Sequence, residues 1–496
     1  MSNRHCEVLF QMYSIIKKYN SFSLQVRASF WFLICTIIQR SISIITTPIY
    51  TRLLSTGEYG RYGVFTSWMG ILTCFVTMYI YSGVYPQAFV KFEDKRNQYS
   101  SAMQCLTLTL VIVWGCLYYP FRSWWNELIG LNTSQMVAMF VVMWANAVFG
   151  FWSVEQQFKY KYRVLLFVTL IEAFFQPVLC VSLILIMHDK ITGLVWGMAL
   201  AMLICYSPLF IQQVRRGKVF FSKKIWSYSL GFAIPLIPHY ISSVVLNSSD
   251  RIMIQHIIGE DQAGIYTLAY SISICGTLIN QAVLQSLQPW ILQSIKEKRY
   301  QEIRKVAYPS LIGIALINLV IILFTPELIR VFAPSSYSSA IWVMPPIIMS
   351  VFFMFSYNLF SLFEFYYEKK VYVSAATMTG AVLNVILNYI FIKKYGYYAA
   401  GYTTLFCYMV FAITHYYFQV KICKEEIPNV TIYDPRILFC ISVSFLCLGF
   451  LLMLTYYHEI IRYSLAVLVA IVIVILRKKI IGFVKTIISK KNLEQK

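Results

Sequence analysis

The chain has 496 residues, 59% of them hydrophobic and only 13% charged, with a formal net charge of +21 and a mean hydropathy of +0.64. A soluble domain carries roughly 25% charge, and no stretch between the apolar runs is long enough to build a separate core, so a soluble multidomain protein is excluded. The basic residues are strung along the chain rather than gathered on one domain, which argues against a nucleic-acid surface.

The first 28 residues are polar and basic and lack the compact apolar core and cleavage site of a signal peptide, so the first span is expected to act as its own insertion signal. A spanning helix needs about 20 mostly apolar residues. About fourteen such runs follow: 29–52, 62–89, 101–121, 136–155, 164–187, 191–212, 228–256, 265–290, 306–325, 338–361, 372–392, 398–420, 437–457 and 461–476. The expected fold is therefore an all-α polytopic membrane protein. Its parts would be a cytoplasmic segment 1–28, a six-helix bundle 29–212, a cytoplasmic linker 213–227, a second six-helix bundle 228–420, two additional helices within 421–476 and a basic tail 477–496.

Orientation follows from charge. With the N-terminus in the cytoplasm, 32 of the 42 Lys and Arg fall in cytoplasmic segments, 8 in external loops or helix ends, and two, Arg40 and Arg251, inside spans. That bias is the positive-inside signature, places both termini in the cytoplasm, and accounts for the net charge without nucleic acid. The twelve cysteines are scattered through apolar runs with no C-x-x-C spacing and read as small packing residues.

The chain also repeats itself. RLLSTGEYGRYG at 52–63 aligns with HIIGEDQAGIYT at 256–267, setting Gly60 over Gly264 and Tyr62 over Tyr266 at an offset of 204; Pro86 and Pro289 then mark similar helix ends. Six spans separate the copies, an even number, so both halves share one orientation and their pseudo-twofold axis runs along the membrane normal. Two such halves around a central cavity form a transporter architecture.

Ionisable groups inside a bilayer are costly and by default face a cavity or a partner. Arg40 is residue 12 of the 24-residue first span, near the midplane; it either meets an anion or is satisfied by helix carbonyls or a carboxylate. The pair Asp250–Arg251 sits in an otherwise apolar stretch. If the seventh helix runs on to His256, one of the two faces the cavity and the other ties to an adjacent helix, since helical neighbours point about 100° apart. If it stops at Leu246, both are loop charges. Glu172, 8 residues into the fifth span, is a coupling carboxylate or a structural partner. His239 lines the cavity or packs. Pro235 and Pro238 are expected to kink the seventh helix and offer a hinge. Asn384 and Asn388, four apart on one helix face, bond a sugar or glue helices together. The Trp124–Trp125 pair reads as an interfacial anchor.

Three segments carry a family resemblance: QRSISIITTPIYTRLLSTGEYGRYGVF at 39–65, LNSSDRIMIQHIIGEDQAGIY at 246–266 and VLNVILNYIFIKKYGYYAAGYTT at 382–404. They resemble the Wzx-type polysaccharide flippases of the multidrug/oligosaccharidyl-lipid/polysaccharide exporter superfamily, whose members share two six-helix bundles. The first segment is also similar to the start of the lipid II flippases, where the arginine matching Arg40 lines the cavity; a second cavity arginine of that family falls on Thr46 here, which points to a different substrate or a differently placed anion contact. The resemblance implies flipping of an undecaprenyl-diphosphate-linked oligosaccharide across the bacterial inner membrane by alternating access, for O-antigen, capsule or exopolysaccharide. Arg40, Arg251 and Asp250 would then meet the anionic headgroup, a guanidinium fork matching paired phosphate oxygens. The implied partners are the lipid-linked substrate, membrane lipid, a polysaccharide polymerase and a chain-length regulator. No cofactor, metal cluster, P-loop or Rossmann fingerprint is present in the sequence, and transport itself breaks no covalent bond. Two alternatives stay open: an ion-coupled multidrug exporter on the same fold, and a multi-spanning polymerase or ligase. The cavity charges, Arg40 and Arg251 against Glu172 and Asp250, are not acidic, which disfavours export of cationic drugs. The longest external connection, 122–135, is short for a catalytic loop.

Overall fold

The structure is a computed structural model that describes residues 24–427, 430–468 and 471. The N-terminal segment to residue 23, the basic tail 477–496 and seven of the sixteen residues of the expected span 461–476 lie outside them.

The described residues form seventeen α-helices and no strand. In chain order these are α1 (Leu24–Leu53), α2 (Thr56–Val76), α3 (Val84–Lys91), α4 (Arg96–Tyr118), α5 (Arg122–Ile129), α6 (Thr133–Phe158), α7 (Tyr162–Ile186), α8 (Lys190–Gly217) and α9 (Lys223–Ala233). They continue with α10 (Ile237–Ile257), α11 (Glu260–Lys296), α12 (Tyr300–Leu323), α13 (Thr325–Phe332), α14 (Met344–Tyr366), α15 (Lys370–Tyr395), α16 (Tyr398–Glu426) and α17 (Pro435–Leu454). Ten helical segments are long and apolar enough to cross a membrane, so the chain is a multi-pass membrane protein. Helix is the expected answer, because in hydrocarbon every backbone N–H and C=O must be satisfied within its own segment. Ten such spans are found among the described residues by length and composition, where the apolar runs of the whole chain suggest about fourteen.

Start signals are written locally. Ser55 and Glu58 form a capping box at α2, with Ser55 N–H donating to Glu58 Oε2 at 2.7 Å and Glu58 N–H to Ser55 Oγ at 3.2 Å. Asn132 and Gln135 do the same at α6.

Two expectations need correction. The run 62–89 is not one helix: α2 stops at Val76, and the chain turns through 77–83 with Met78 and Tyr79 in the left-handed region, φ 49° and 46°, before α3 begins. Nor do Pro86 and Pro289 mark equivalent ends. Pro86 stands in the first turn of α3, where a missing N–H costs nothing, and Pro289 lies inside the continuous α11.

The contacts sort the chain into two units: residues up to Thr46 with Leu72–Ile237, and Thr47–Ile71 with Pro238 onward. In the first unit α8 packs on α4, α6 and α7. An aromatic core of Tyr85, Phe89, Tyr99 and Phe151 fills its other side, with Tyr85 and Ser100 hydroxyls 2.7 Å apart and Trp226 Nε1–H donating to Ala102 O at 3.1 Å. In the second unit α14 packs on α11, α12 and α16, α15 packs on α16, and α17 lies against α12.

Lipid tails give no hydrophobic drive for helix pairing, so close approach and hydrogen bonds must hold helices together. The second unit shows this where the two sequence repeats meet. α2 lies directly on α11: a Cβ at Gly60 would run into Glu260 O and Gly264 N, and a Cβ at Gly264 into Thr56 O and Gly60 N. Thr56 Oγ1 donates to Asp261 Oδ1, and Arg61 pairs with Glu260 at 3.9 Å. Glu260 and Gly264 are the repeat counterparts of Thr56 and Gly60 at the offset of 204. The contact is therefore reciprocal, like an isologous dimer interface within one chain.

Candidate functional site

The run Asn247–Ser248–Ser249–Asp250–Arg251 lies inside α10, which ends at Ile257; the loop alternative is not what forms. Asp250 is 1% exposed. Its carboxylate accepts from Tyr266 OH at 2.6 Å, Asn388 Nδ2 at 2.5 Å and Thr404 Oγ1 at 2.8 Å, which ties α10 to α11, α15 and α16. Asn388 also donates to Asn384 Oδ1 at 3.1 Å and accepts from Thr403 Oγ1, and Ser249 Oγ donates to Asn384 Oδ1 at 2.9 Å. Asn384 and Asn388 are both fully buried. Of the two roles the spacing allows, this conformation has them bonding helices. Asp250, saturated by three donors, presents no free oxygen here.

Arg251 points elsewhere and does not pair with Asp250. It is half-buried, donates to Asn247 O at 3.0 Å and Ser248 Oγ at 3.4 Å, and lies over the Tyr270 ring at 4.5 Å. Asn247, in turn, accepts from Tyr408 OH at 2.6 Å. Arg251 forms no direct ion pair among the described residues, although Asp250 is near enough to interact with it electrostatically, and its Nε has no acceptor. His239, near the start of the same helix, is half-buried with Nδ1 unpartnered among the described residues.

In the first unit, Glu172 of α7 is 4% exposed, within electrostatic range of Cys205 and Tyr206 on α8. It makes no hydrogen bond or ion pair among the described residues. Arg40 lies on α1, and its side chain is outside the described residues. The two prolines bracket a passage between units: Pro235 sits in the 3-10 turn Ile234–Leu236, and the chain leaves the first unit after Ile237 and enters the second at Pro238.

Two buried clusters escaped sequence reading. In the first unit Glu155, 1% exposed, accepts from Arg216 Nη2 at 2.5 and 2.6 Å, from Gln213 Nε2 at 2.5 Å and from Lys159. Gln104 completes it by donating to Gln213 Oε1 at 2.6 Å. In the second unit Glu364 Oε1 stands 2.7 Å from His415 Nδ1, both side chains buried. The signal for the first was Gln104 in the apolar run 101–121, since Gln213 opens the linker 213–227. For the second it was His415 in the apolar run 398–420, while Glu364 falls beyond the run 338–361. The cysteines match expectation: all eleven in the described residues are free.

Comparison with solved structures places this fold. The chain is similar to a multidrug resistance MATE family transporter of the MOP superfamily in an inward-facing conformation, with 14% identity over 79% of this chain and 96% of that one and a TM-score of 0.64. It is similar to the lipid II flippase MurJ in an inward closed conformation, with 14% identity over 90% and 99% and a TM-score of 0.65. A MOP superfamily transporter from Pyrococcus furiosus, described as having a binding pocket of reverse polarity, aligns at 13% identity over 82% and 98% with a TM-score of 0.53. No curated protein matches by sequence. A family profile described as polysaccharide biosynthesis protein matches residues 26–295, more than half of the chain, and with the MATE- and MurJ-like fold around it the chain belongs to the polysaccharide biosynthesis protein family.

Proposed function

We propose that the chain is a flippase that carries an undecaprenyl-diphosphate-linked oligosaccharide across the inner membrane by alternating access, with both termini cytoplasmic. Membership of a polysaccharide biosynthesis family on a MOP-type transporter fold supports the reading, and the single observation that carries it to an anionic substrate is Arg251. Its guanidinium is half-buried in a spanning helix, lies over the Tyr270 ring and makes no direct ion pair among the described residues. A half-buried cation within a spanning helix, with no direct ion pair, is open to a visiting anion. Arg40, near the midpoint of its span, is the second proposed headgroup contact. Glu172 and the Asp250–Asn384–Asn388 network are the proposed coupling elements, and the Pro235–Pro238 turn the proposed hinge.

In this reading the carbohydrate unit feeds O-antigen, capsule or exopolysaccharide synthesis, with a polymerase and a chain-length regulator as partners. No covalent bond changes, so the chain is not an enzyme. An exporter of cationic drugs would need an available carboxylate, whereas Asp250 is saturated and Glu172 is buried. The test is reconstitution into proteoliposomes with a fluorescently tagged lipid-linked oligosaccharide. Loss of leaflet protection from an external glycosidase, faster than in protein-free vesicles, is expected. Equal rates with and without protein would refute the function.

A further inference from the structure

Each unit buries one carboxylate near the C-terminal end of its corresponding helix, Glu155 on α6 and Glu364 on α14. That end carries the negative pole of the helix dipole, so a carboxylate there needs compensation. The first unit supplies permanent cations, Arg216 and Lys159. The second unit does not. In the register that sets Gln213 of α8 over Gln419 of α16, an offset of 206, Arg216 falls on Ile422; in the register that sets Glu155 over Glu364, an offset of 209, Lys159 falls on Glu368. What remains is one titratable partner, His415.

The second cluster is also unfinished. Glu364 Oε2, His415 Nε2 and, one turn on, Gln419 Oε1 are buried with no hydrogen-bond partner among the described residues. Native interiors rarely leave such atoms without a partner, whether protein, water, ion or proton. The walls are aromatic: Phe411 lies edge-on to the His415 ring at 4.5 Å and Tyr357 stacks on it at 5.4 Å. Other titratable groups lining this interior are Tyr408 and Cys423 of α16 and Tyr433. The charged side chains described on the packed elements sit at helix ends or just beyond them: Glu260, Asp261 and Lys296 on α11 with Glu297 after it, Glu302, Arg304 and Lys305 on α12, Lys393 and Lys394 on α15, Lys421, Lys424, Glu425 and Glu426 on α16, and Arg436 on α17, with Lys369 paired to Glu425 at 3.2 Å and Glu426 at 3.1 Å.

We propose that Glu364 and His415 form a proton-binding site of the second unit, loaded and emptied during the transport cycle. With one shared proton the pair is neutral, whichever of Nδ1 and Oε1 holds it. Removing that proton leaves a net negative charge among aromatic rings, which is tolerable only if α14 and α16 part to admit water. A proton is the ligand because it needs no cavity, and no metal-ligating cluster of three His, Cys, Asp or Glu exists among the described residues. The first unit, with its fixed cations, is the non-titrating counterpart. The proposal rests on the transport reading only for what the proton drives.

Two measurements separate the two claims. The first uses purified protein in nanodiscs without substrate: hydrogen exchange of peptides from α14 and α16, corrected for intrinsic rates, from about pH 5 to 8. Exchange should rise with pH in the wild type, and Glu364→Gln and His415→Asn should each abolish the change. Flat wild-type exchange, or an unchanged response in either variant, overturns the site. The second follows oligosaccharide flipping in proteoliposomes under an imposed pH gradient. The gradient should accelerate the wild type several-fold, while both variants should keep gradient-independent flipping and lose the acceleration. Variants that respond like the wild type refute the coupling. Wild-type vesicles that flip nothing refute the transport reading and leave the exchange result to decide the proton site.

Discussion

Replacing Asp250 by alanine takes the acceptor away from three donors at once. Asn388 Nδ2 keeps a second acceptor, Asn384 Oδ1 at 3.1 Å, so the full loss falls on Tyr266 and Thr404, whose hydroxyls are left in a buried site. Each orphaned buried donor costs about 1–3 kcal/mol, which puts Asp250→Ala at roughly 2–6 kcal/mol. Arg251→Gln is the internal control one residue away. It gives up a cation–π contact, about 0.5–1 kcal/mol at a partly exposed site, and a hydrogen bond to Asn247 O of about 1 kcal/mol. Asp250→Ala should therefore strike folding and Arg251→Gln transport. The assay is unfolding of the purified protein in mixed micelles, with flipping measured on whatever remains folded. Adding Tyr266→Phe to Asp250→Ala should recover part of the loss, because one orphaned donor disappears, giving a coupling in the 0.5–3 kcal/mol range of contacting pairs. If Asp250→Ala is no less stable than Arg251→Gln, the network does not hold the four helices together.

The remaining predictions are as follows. Gly60→Ala and Gly264→Ala should each destabilise by about 1–3 kcal/mol through overpacking. Combined, they should cost less than their sum, since both push the same helices apart; wild-type unfolding of both single variants would refute the close contact. Arg40→Ala should abolish complementation of a flippase-deficient strain at normal membrane abundance and Arg40→Lys should rescue only partly, because an ammonium keeps the charge but loses the fork; normal surface polysaccharide in Arg40→Ala cells would remove the headgroup role. Single cysteines placed in 213–227 and 291–305 of a cysteine-free background should resist a membrane-impermeant thiol reagent in intact cells, and labelling from outside would invert the topology.

The helices could be read from the sequence because lipid demands long apolar runs, but their ends could not. α11 extends to Lys296 and α16 to Glu426, past the last apolar residue, because a polar turn outside hydrocarbon continues a helix without penalty. The break at 77–83 hides in apolar residues, TMYIYSG, where hydropathy has no contrast. Spacing alone put Asn384 and Asn388 on one face, yet their partners Thr403 and Asp250 come from other helices, and no periodicity within one helix names a neighbour. His415 and Glu364 were lost in the same way, 51 residues apart on two helices. The repeat was visible as an offset of 204; that its two copies would lie against each other was not, since self-similarity states kinship and not adjacency.

That adjacency has a consequence for biosynthesis. Gly60 leaves the ribosome 204 residues before Gly264, and at about 5–20 residues per second the segment Thr47–Ile71 waits roughly 10–40 s for α11. During that interval its glycine face and the hydroxyl of Thr56 are in the insertion machinery or the lipid without their eventual neighbour. A helix in this position is an early candidate for chaperoning by the translocon, and the second unit includes a piece of chain made before most of the first.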